Sequence, residues 1–193
     1  TADVYSDEEF IEEIRDLVKR CESALGEENI VTLLMLSDFG GDLKECGEYE
    51  EAREVHERCL AERMKELGED RRQTLDTLNN LGNVYHMLKN YEKALEYYER
   101  ALKGCERLFG KNHPETLATA MNIAGVYDGL EEFGKAEELY ERALEGYEAQ
   151  LGKDNKKTMR CAGNYRNCLK ASGNSAGLAE LRKAHPNVDN YDV

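Results

Sequence analysis

The 42-residue spacing of four glycines constrains the fold of this 193-residue chain more than any other sequence feature. Each glycine closes a short motif of the type ALG, ELG, LFG or QLG, and a threonine stands six residues after it. The four pairs are Gly26 with Thr32, Gly68 with Thr74, Gly110 with Thr116, and Gly152 with Thr158. The register runs through all four units without an insertion. A fixed period of this length predicts stacked supersecondary units rather than one irregular core.

Each unit is predicted to fold as two α-helices. Counted from the threonine, apolar residues recur at the spacing of one helical face, as in Leu75, Leu78 and Leu81. A short break then precedes a second helix, which runs for about five turns to the next glycine, its expected C-terminal stop. The residue two positions past each glycine, such as Asn112, is expected to cap the first helix of the unit.

The second unit reads LNNLGNVYHMLKNYEKALEYYERAL and strongly resembles a tetratricopeptide repeat, whose pattern places a small residue, an aromatic residue and two alanines at these spacings. Ala94, Tyr98 and Ala101 fill the second-helix positions. The generic repeat has about 34 residues, whereas a 42-residue unit with joints such as GKNHPETL resembles the kinesin light chain type. The resemblance covers about residues 26–172. It implies an all-α fold, a right-handed α-solenoid of antiparallel helix pairs whose first helices line a concave groove.

We predict a single tetratricopeptide-repeat domain over residues 1–193. Its predicted parts are a lone N-terminal helix of the second type, or cap, at 1–27, full repeats at 28–69, 70–111 and 112–153, a degenerate repeat at 154–187 and a tail at 188–193. In the degenerate repeat, Arg166 and Leu178 replace small residues of the earlier units. This is expected of a terminal unit that covers the last apolar face of a solenoid. The predicted apolar face of the lone helix consists of Phe10, Ile14, Leu17, Val18, Cys21 and Leu25.

Charge and cysteine content narrow the possible partners and the compartment. The chain carries 40 acidic and 26 basic residues, a net charge of −14. This argues against nucleic acid and anionic lipid as partners, because both attract clustered Lys and Arg. No apolar run approaches the roughly 20 residues that span a bilayer. The six cysteines include no CxxC pair, so we expect free thiols, a reducing cytoplasmic location, and neither a membrane nor a nucleic-acid partner.

A column of polar residues on the first helices is the predicted binding site. The position six residues past each threonine lies on the face opposite the apolar stripe and holds Asp38, Asn80, Asn122 and Asn164. Amides there both donate to and accept from a peptide backbone without burying a charge. In the alternative interpretation Asn80 and Asn83, which belong to an NLGN motif common in the repeat, are ordinary structural residues. The predicted groove residues are Asp38, Asp76, Asn79, Asn80, Asn83, His86, Met121, Asn122, Asp128, Arg160, Asn164 and Asn167.

We predict a non-enzymatic protein–protein interaction module, an adaptor or scaffold that binds a peptide or helix of a partner protein in this groove. Because the groove carries acidic side chains and few Lys or Arg, the partner is expected to be neutral or basic rather than acidic. A monomer is the expected state. The alternative is a structural or assembly subunit of a larger complex. Such a subunit uses its outer or terminal faces and self-associates, since the apolar faces at its ends need covering.

Catalytic and metal-binding motifs are missing from the sequence. No HxxxH, HExxH, GxSxG, phosphate-loop or EF-hand spacing occurs. His56 fills the slot taken by Tyr98 and Tyr140 in later units, which predicts that it packs. His113 precedes Pro114 at a joint, where proline presets the first turn of a helix. We therefore expect no enzymatic activity and no bound metal or cofactor.

Overall fold

The computed structural model describes residues 7–191. Within this range the chain forms nine α-helices, one short 3₁₀ helix and no strand, which confirms the all-α fold. The helices are α1 Asp7–Leu25, α2 Ile30–Glu45, α3 Tyr49–Leu67, α4 Arg72–Met87, α5 Tyr91–Phe109, α6 Pro114–Gly129, α7 Phe133–Leu151, α8 Lys156–Ala171 and α9 Ser175–Ala184, followed by the 3₁₀ helix Val188–Asn190.

The helices fall into two compact units, the first ending at Asn90 and the second beginning at Tyr91. In the first unit α1 packs on α2, α2 on α3 and α3 on α4. In the second unit the contacts follow the same order from α5 to α9. Helices that pack against their sequence neighbours are the contact pattern of a helical repeat array. The single domain predicted for the whole chain stays a prediction.

A hydrogen bond joins the two landmarks of the 42-residue period at each of the four joints. Each glycine has a φ between 80° and 93°, in the left-handed region that ends a helix at low cost only for glycine. The hydroxyl of each threonine, the third residue of the helix that follows, donates to the carbonyl oxygen of that glycine. The four distances are 2.8 Å, 2.8 Å, 2.8 Å and 2.7 Å, and all four threonines are fully buried. The 42-residue period is thus fixed at the joint, between the glycine that ends one helix and the threonine of the helix that follows.

The first helices begin one residue later than the sequence pattern predicted. Asn29, His113 and Asn155 are the N-caps of α2, α6 and α8, and each side chain accepts from the backbone N–H two residues further on. The predicted caps, at positions such as Asn112, were wrong by one position. Pro114 explains the register at its joint, because proline takes the first helical position and leaves the residue before it as the cap.

The apolar face predicted for α1 is divided between the core and the surface. Val18 is buried, as is Ile11, which the pattern did not include, because these two side chains face α2. By contrast, Phe10, Leu17 and Leu25 are 43%, 42% and 49% exposed. The helix is also held by charge. The Arg15 guanidinium donates to both carboxylate oxygens of Glu51 on α3, at 3.0 Å and 2.7 Å.

The terminal repeat is closed by its own buried arginine. Arg166, which replaces a small residue of the earlier units, is buried, and its Nη1 donates to the carbonyl oxygens of Val188 and Tyr191 at 2.5 Å and 3.5 Å. Val188, the first residue of the predicted tail, is fully buried in the core of the second unit. The segment after α9 therefore folds back over the last apolar face, a contact that the prediction of a tail at 188–193 did not include.

Replacing Thr116 by Val removes one joint hydrogen bond at little change in side-chain shape. We expect the free energy of unfolding to fall by about 1–2 kcal/mol, because the carbonyl oxygen of Gly110 loses a donor at a buried site. Urea unfolding followed by circular dichroism measures the loss. Thr119→Val is the matched control, since Thr119 is also buried on α6 but donates to Glu115 of its own helix at 3.2 Å. Equal losses in the two variants would contradict a special role for the joint.

Candidate partner-binding faces

Six of the predicted groove residues lie in the first unit, on α2 and α4, two helices that contact each other. Asp38 and Asp76 are exposed, and the other four are partly exposed. We call this surface the α2–α4 face, and its members are Asp38, Asp76, Asn79, Asn80, Asn83 and His86. Each of them is at least partly within reach of solvent.

Two neighbouring asparagines of the α2–α4 face have different surroundings. Asn79 turns back on its own helix, where its Nδ2 donates to the carbonyl oxygen of Leu75 at 3.3 Å, and its Oδ1 is buried. Asn80 is partly exposed, and its amide makes no hydrogen bond within the part of the chain that the structure describes. Local bonds of the Asn79 type compete with recognition for the same donor. Asn80 therefore keeps an amide available to a partner, whereas the Asn79 amide serves its helix.

An acidic cluster on α2 extends the α2–α4 face. Asp42 follows Asp38 by one helical turn and is half-buried. Its pKa is raised, first by burial and then by the nearby carboxylates of Glu45 and Asp38. Three carboxyl groups that disfavour each other's charge are stabilised by an approaching cation. Sequence reasoning missed Asp42 and Glu45, although their spacing of four and seven residues from Asp38 places all three on one side of the helix.

Five further predicted groove residues lie in the second unit, on α6 and α8, which also contact each other. We call this surface the α6–α8 face, and its members are Asn122, Asp128, Arg160, Asn164 and Asn167. Arg160 and Asn167 are exposed, and the other three are partly exposed. Met121, also predicted for the groove, is only 5% exposed and belongs to the apolar core of this unit. Its side chain packs inside the unit and is not offered to solvent.

Two members of the α6–α8 face, Asn167 and Asp128, interact with other side chains of the second unit. The Oδ1 of Asn167 accepts from Nε and Nη2 of Arg166, at 3.1 Å and 2.9 Å. The carboxylate of Asp128 lies close to Cys168 and, after burial, is the main cause that raises the pKa of this thiol to about 12. Both side chains are therefore partly committed to the repeat itself.

Asn122 and Asn164 keep their amides available on the α6–α8 face. They occupy equivalent positions of successive repeats, 42 residues apart, and both are partly exposed. Neither side chain makes a hydrogen bond within the described residues. Asn80 has the same repeat position and the same state in the first unit. Three of the four positions in the predicted polar column thus carry an amide with unused donors and acceptors.

Three of the four histidines, all except His86 of the α2–α4 face, occupy structural positions. His56 is 1% exposed and its ring lies against Gly40, where an added Cβ would come within 2.6 Å of the ring. This confirms that His56 packs in the aromatic slot of the repeat. His113 is confirmed as a joint residue, since its Nδ1 accepts from the backbone N–H of Glu115 at 3.2 Å. His185 is buried and lies 2.6 Å from a carboxylate oxygen of Glu148.

A buried arginine links three helices of the first unit, which sequence reasoning did not foresee. Arg63 is 2% exposed and donates to the hydroxyl of Thr77 at 2.6 Å, to the carbonyl oxygen of Gln73 at 3.0 Å and to a carbonyl oxygen of α2 at 3.3 Å. It forms no ion pair with a carboxylate of the described chain. The repeat register already marks Arg63 as unusual, because the equivalent positions of the later units hold the uncharged residues Cys105 and Tyr147.

The described residues contain neither a candidate metal site nor a candidate membrane span. There, no group of three or more His, Cys, Asp or Glu side chains is arranged to hold a metal ion. None of the helices in the described range is both long enough and apolar enough to cross a membrane.

The chain belongs to the tetratricopeptide repeat family. The family matches the sequence over residues 30–106 and 73–149, which together cover more than half of the chain. The match starts at the first residue of α2 and ends close to the end of α7. This confirms the repeat type predicted from the second unit. A search of curated proteins found no match.

Several solved structures share the fold at low sequence identity. One is a protein of Podosopora anserina with nearly identical kinesin light chain TPR-like repeats, with a TM-score of 0.78, 19% identity, and coverage of 95% of this chain and 87% of that one. Another is BtubC (BKLC) of P. vanneervenii, with a TM-score of 0.82, 18% identity, and coverage of 95% and 74%. The apo form of RapI has a TM-score of 0.79 at 16% identity and covers 96% and 65%. These similarities establish the fold of a tetratricopeptide-repeat solenoid.

Stability is expected to depend on the protonation of His56. Burial, followed by the charges of Arg63 and Lys44, lowers the pKa of His56 from its ordinary 6.5 to about 4. Between these two pH values His56 binds a proton in the unfolded chain but not in the folded chain. The contribution of His56 to the free energy of unfolding is therefore complete above pH 6.5 and falls as the pH drops toward 4. The expected loss is about 3 kcal/mol, measured by urea unfolding across this pH range.

Two variants isolate the contribution of His56. In His56→Tyr, which copies the residue of later units, the drop between pH 6.5 and pH 4 should shrink by about that amount. His113→Ala removes an exposed histidine and should leave the drop unchanged. A pH dependence identical in the wild type and in His56→Tyr would show that the buried imidazole is not its source.

Proposed function

We propose that the protein is a non-enzymatic adaptor or scaffold that binds an extended peptide or a helix of a partner protein through the first helices of its repeats. The observation that carries this proposal is the state of Asn80, Asn122 and Asn164, which are partly exposed at one repeat position and have unused hydrogen-bonding groups. A peptide backbone offers one donor and one acceptor per residue. A side-chain amide both donates to and accepts from such a backbone, whatever side chains the peptide carries.

The charge of the α2–α4 face supports a neutral or basic partner. Asp38, Asp42 and Glu45 lie along one side of α2, and Asp76 is exposed on α4. A Lys or Arg of the partner relieves the mutual repulsion of these carboxylates, and the attraction is screened by salt. The net charge of −14 acts in the same direction during diffusional encounter.

The absence of catalysis and a cytoplasmic location are part of the same proposal. The pKa values of the Cys59, Cys161 and Cys168 thiols are raised mainly by burial, which makes them inert side chains of the core. All six cysteines are free, as expected of a protein in a reducing compartment. His56, His113, His185 and the buried Arg63 have packing and bridging roles.

A second candidate function is that of an assembly subunit. The large apolar side chains Phe10, Leu17 and Leu25 are each more than two-fifths exposed on α1. Exposed apolar side chains that follow one helix face favour association with another protein surface.

Substituting Asn80 and Asn122 by Ala tests the role of the amides. Each variant is expected to weaken binding of a captured peptide about fivefold, the equivalent of about one hydrogen bond, because a backbone group loses its partner. Stability should change by no more than about 0.5 kcal/mol, since both side chains are partly exposed and unbonded. Peptide arrays followed by fluorescence anisotropy measure affinity, and thermal unfolding measures stability.

The control for the amide variants is Glu138→Ala, an exposed substitution on the second helix α7. It should change neither affinity nor stability. A loss of more than about 2 kcal/mol in Asn80→Ala or Asn122→Ala would make the asparagines structural. Unchanged affinity in both would place the binding surface elsewhere.

Neutralising the acidic cluster tests the preference for a basic partner. The triple variant Asp38→Asn, Asp42→Asn and Glu45→Gln should weaken binding of Lys- and Arg-containing peptides about tenfold at low salt and flatten the salt dependence of their affinity. Acidic peptides should gain affinity. The matched control neutralises three exposed acids at similar spacing on α7, Glu138, Glu141 and Glu145. An equal effect of the two triple variants would show that the preference for basic peptides comes from the net charge alone.

A further inference from the structure

An exposed apolar seam runs along α1. Phe10, Ile14, Leu17 and Cys21 follow one another at spacings of four, three and four residues, the alternation that keeps side chains on the line of contact between two helices. Phe10 and Leu17 are 43% and 42% exposed, and Ile14 and Cys21 are partly exposed. Ile14 and Cys21 form the edge of the seam next to α2: Ile14 packs against the apolar core of the first unit, and the Cys21 thiol lies 3.6 Å from the hydroxyl of Thr32. Phe10 and Leu17, on the side of α1 away from the buried Ile11 and Val18, are the members left exposed.

The seam differs from the equivalent surface of the internal repeats. Phe10 and Leu17 stand 42 residues before Ala52 and Cys59 of α3. Those small side chains are fully buried, and the Cys59 thiol donates to the carbonyl oxygen of Leu33 at 3.6 Å, so α2 lies over them. On α1 the same two positions carry large apolar groups. The seam is therefore built for contact with a helix that approaches differently from a first helix of the repeat.

The charges beside the seam select the orientation of a second α1. Glu13 and Arg20 flank the seam on the side away from the buried Ile11 and Val18, and both are exposed. If two α1 helices run antiparallel and are centred between Arg15 and Asp16, the same flanks meet, and Glu13 of each copy lies beside Arg20 of the other. In a parallel arrangement opposite flanks meet, and Glu13 and Arg20 would each lie beside an apolar flank instead of an opposite charge. The only ion pair of Arg20 in the described chain is an exposed one with Asp16 of the same helix at 3.9 Å, which contributes little.

The antiparallel arrangement also matches the apolar side chains in size. About the same centre, Phe10 of one copy falls opposite Cys21 of the other, and Ile14 falls opposite Leu17. A large group thus meets a small one at each end, and two branched groups meet in the middle. Beyond the seam, Leu25 and Ile30, across the turn into α2, are each about half exposed and enlarge the apolar surface.

We propose that two copies of this chain associate through an antiparallel contact between their α1 helices, related by a twofold axis that passes between Arg15 and Asp16. A helix of 19 residues is about 28 Å long, and a contact strip of that length is smaller than the roughly 800 Å² per partner of a standard interface. The dimer is therefore weak and forms at micromolar concentrations. It leaves the α2–α4 and α6–α8 faces unused and is therefore compatible with the proposed adaptor, and it rests on the same exposed side chains of α1 as the second candidate function.

Sedimentation equilibrium of the 193-residue chain tests the association. Between about 5 µM and about 500 µM, the weight-average mass should rise from 22.0 kDa toward twice that value. Leu17→Asp places a charge in the centre of the seam and should keep the protein monomeric throughout. Leu108→Asp, an equally exposed leucine on α5, is the control and should associate like the wild type. A mass of 22.0 kDa at every wild-type concentration, or equal association of Leu17→Asp and the wild type, would overturn the proposal.

Charge reversal tests the antiparallel orientation. Glu13→Arg and Arg20→Glu should each weaken self-association about tenfold, because like charges then meet at both ends of the seam. An equimolar mixture of the two variants should form a heterodimer as strong as the wild-type dimer, since both charge pairs are restored. Circular dichroism should show unchanged folding, because both side chains are exposed. Failure of the mixture to associate would rule out this pairing. Self-association of either variant alone as strongly as the wild type would also rule it out.

Discussion

The hydrogen bond between a threonine hydroxyl and the carbonyl oxygen of the glycine six residues earlier determines where everything else in a repeat lies. The left-handed glycine ends one helix, and the threonine is the third residue of the next, so the bond fixes both the length and the direction of the joint. Side chains are then placed by their distance from the threonine. The polar column and the apolar stripe are opposite faces of a helix whose rotation the joint has already fixed.

The polar column carries different chemistry in the two units. On the α2–α4 face it lies beside Asp38, Asp42 and Asp76, whereas the α6–α8 face carries amides and the exposed Arg160. The amides that remain available share one repeat position, and the neighbouring Asn79 and Asn167 are occupied within the fold. A repeat position can thus keep a recognition role while positions beside it are given to stability.

The period and the helical pattern were sufficient to predict the architecture, because each repeat contains its own local signals. The all-α fold, the packing of His56 and the atypical character of the last repeat could all be predicted from departures or matches within the 42-residue register. What could not be predicted depends on contacts between helices. The division of the α1 face, the bridging role of Arg63 and the burial of Met121 each depend on which neighbour a side chain meets. At the joint before α6 the cap is His113 and not Asn112, because Pro114 takes the first helical position.

The bridge made by Arg63 has a consequence for how a chain of this kind changes length. Joints that close with the same bond are natural points of recombination, because loss or duplication of 42 residues between two glycines restores a threonine at the right distance. The joint after Gly68 is different. There the guanidinium of Arg63 on α3 donates to the hydroxyl of Thr77 in the helix that follows, besides backbone carbonyl oxygens of Gln73 and of α2. A new neighbour without a hydroxyl at this position would leave the buried charge with one acceptor fewer. Exchange at this joint therefore favours first helices with a hydroxyl there, such as α6, which has Thr119 at the equivalent position.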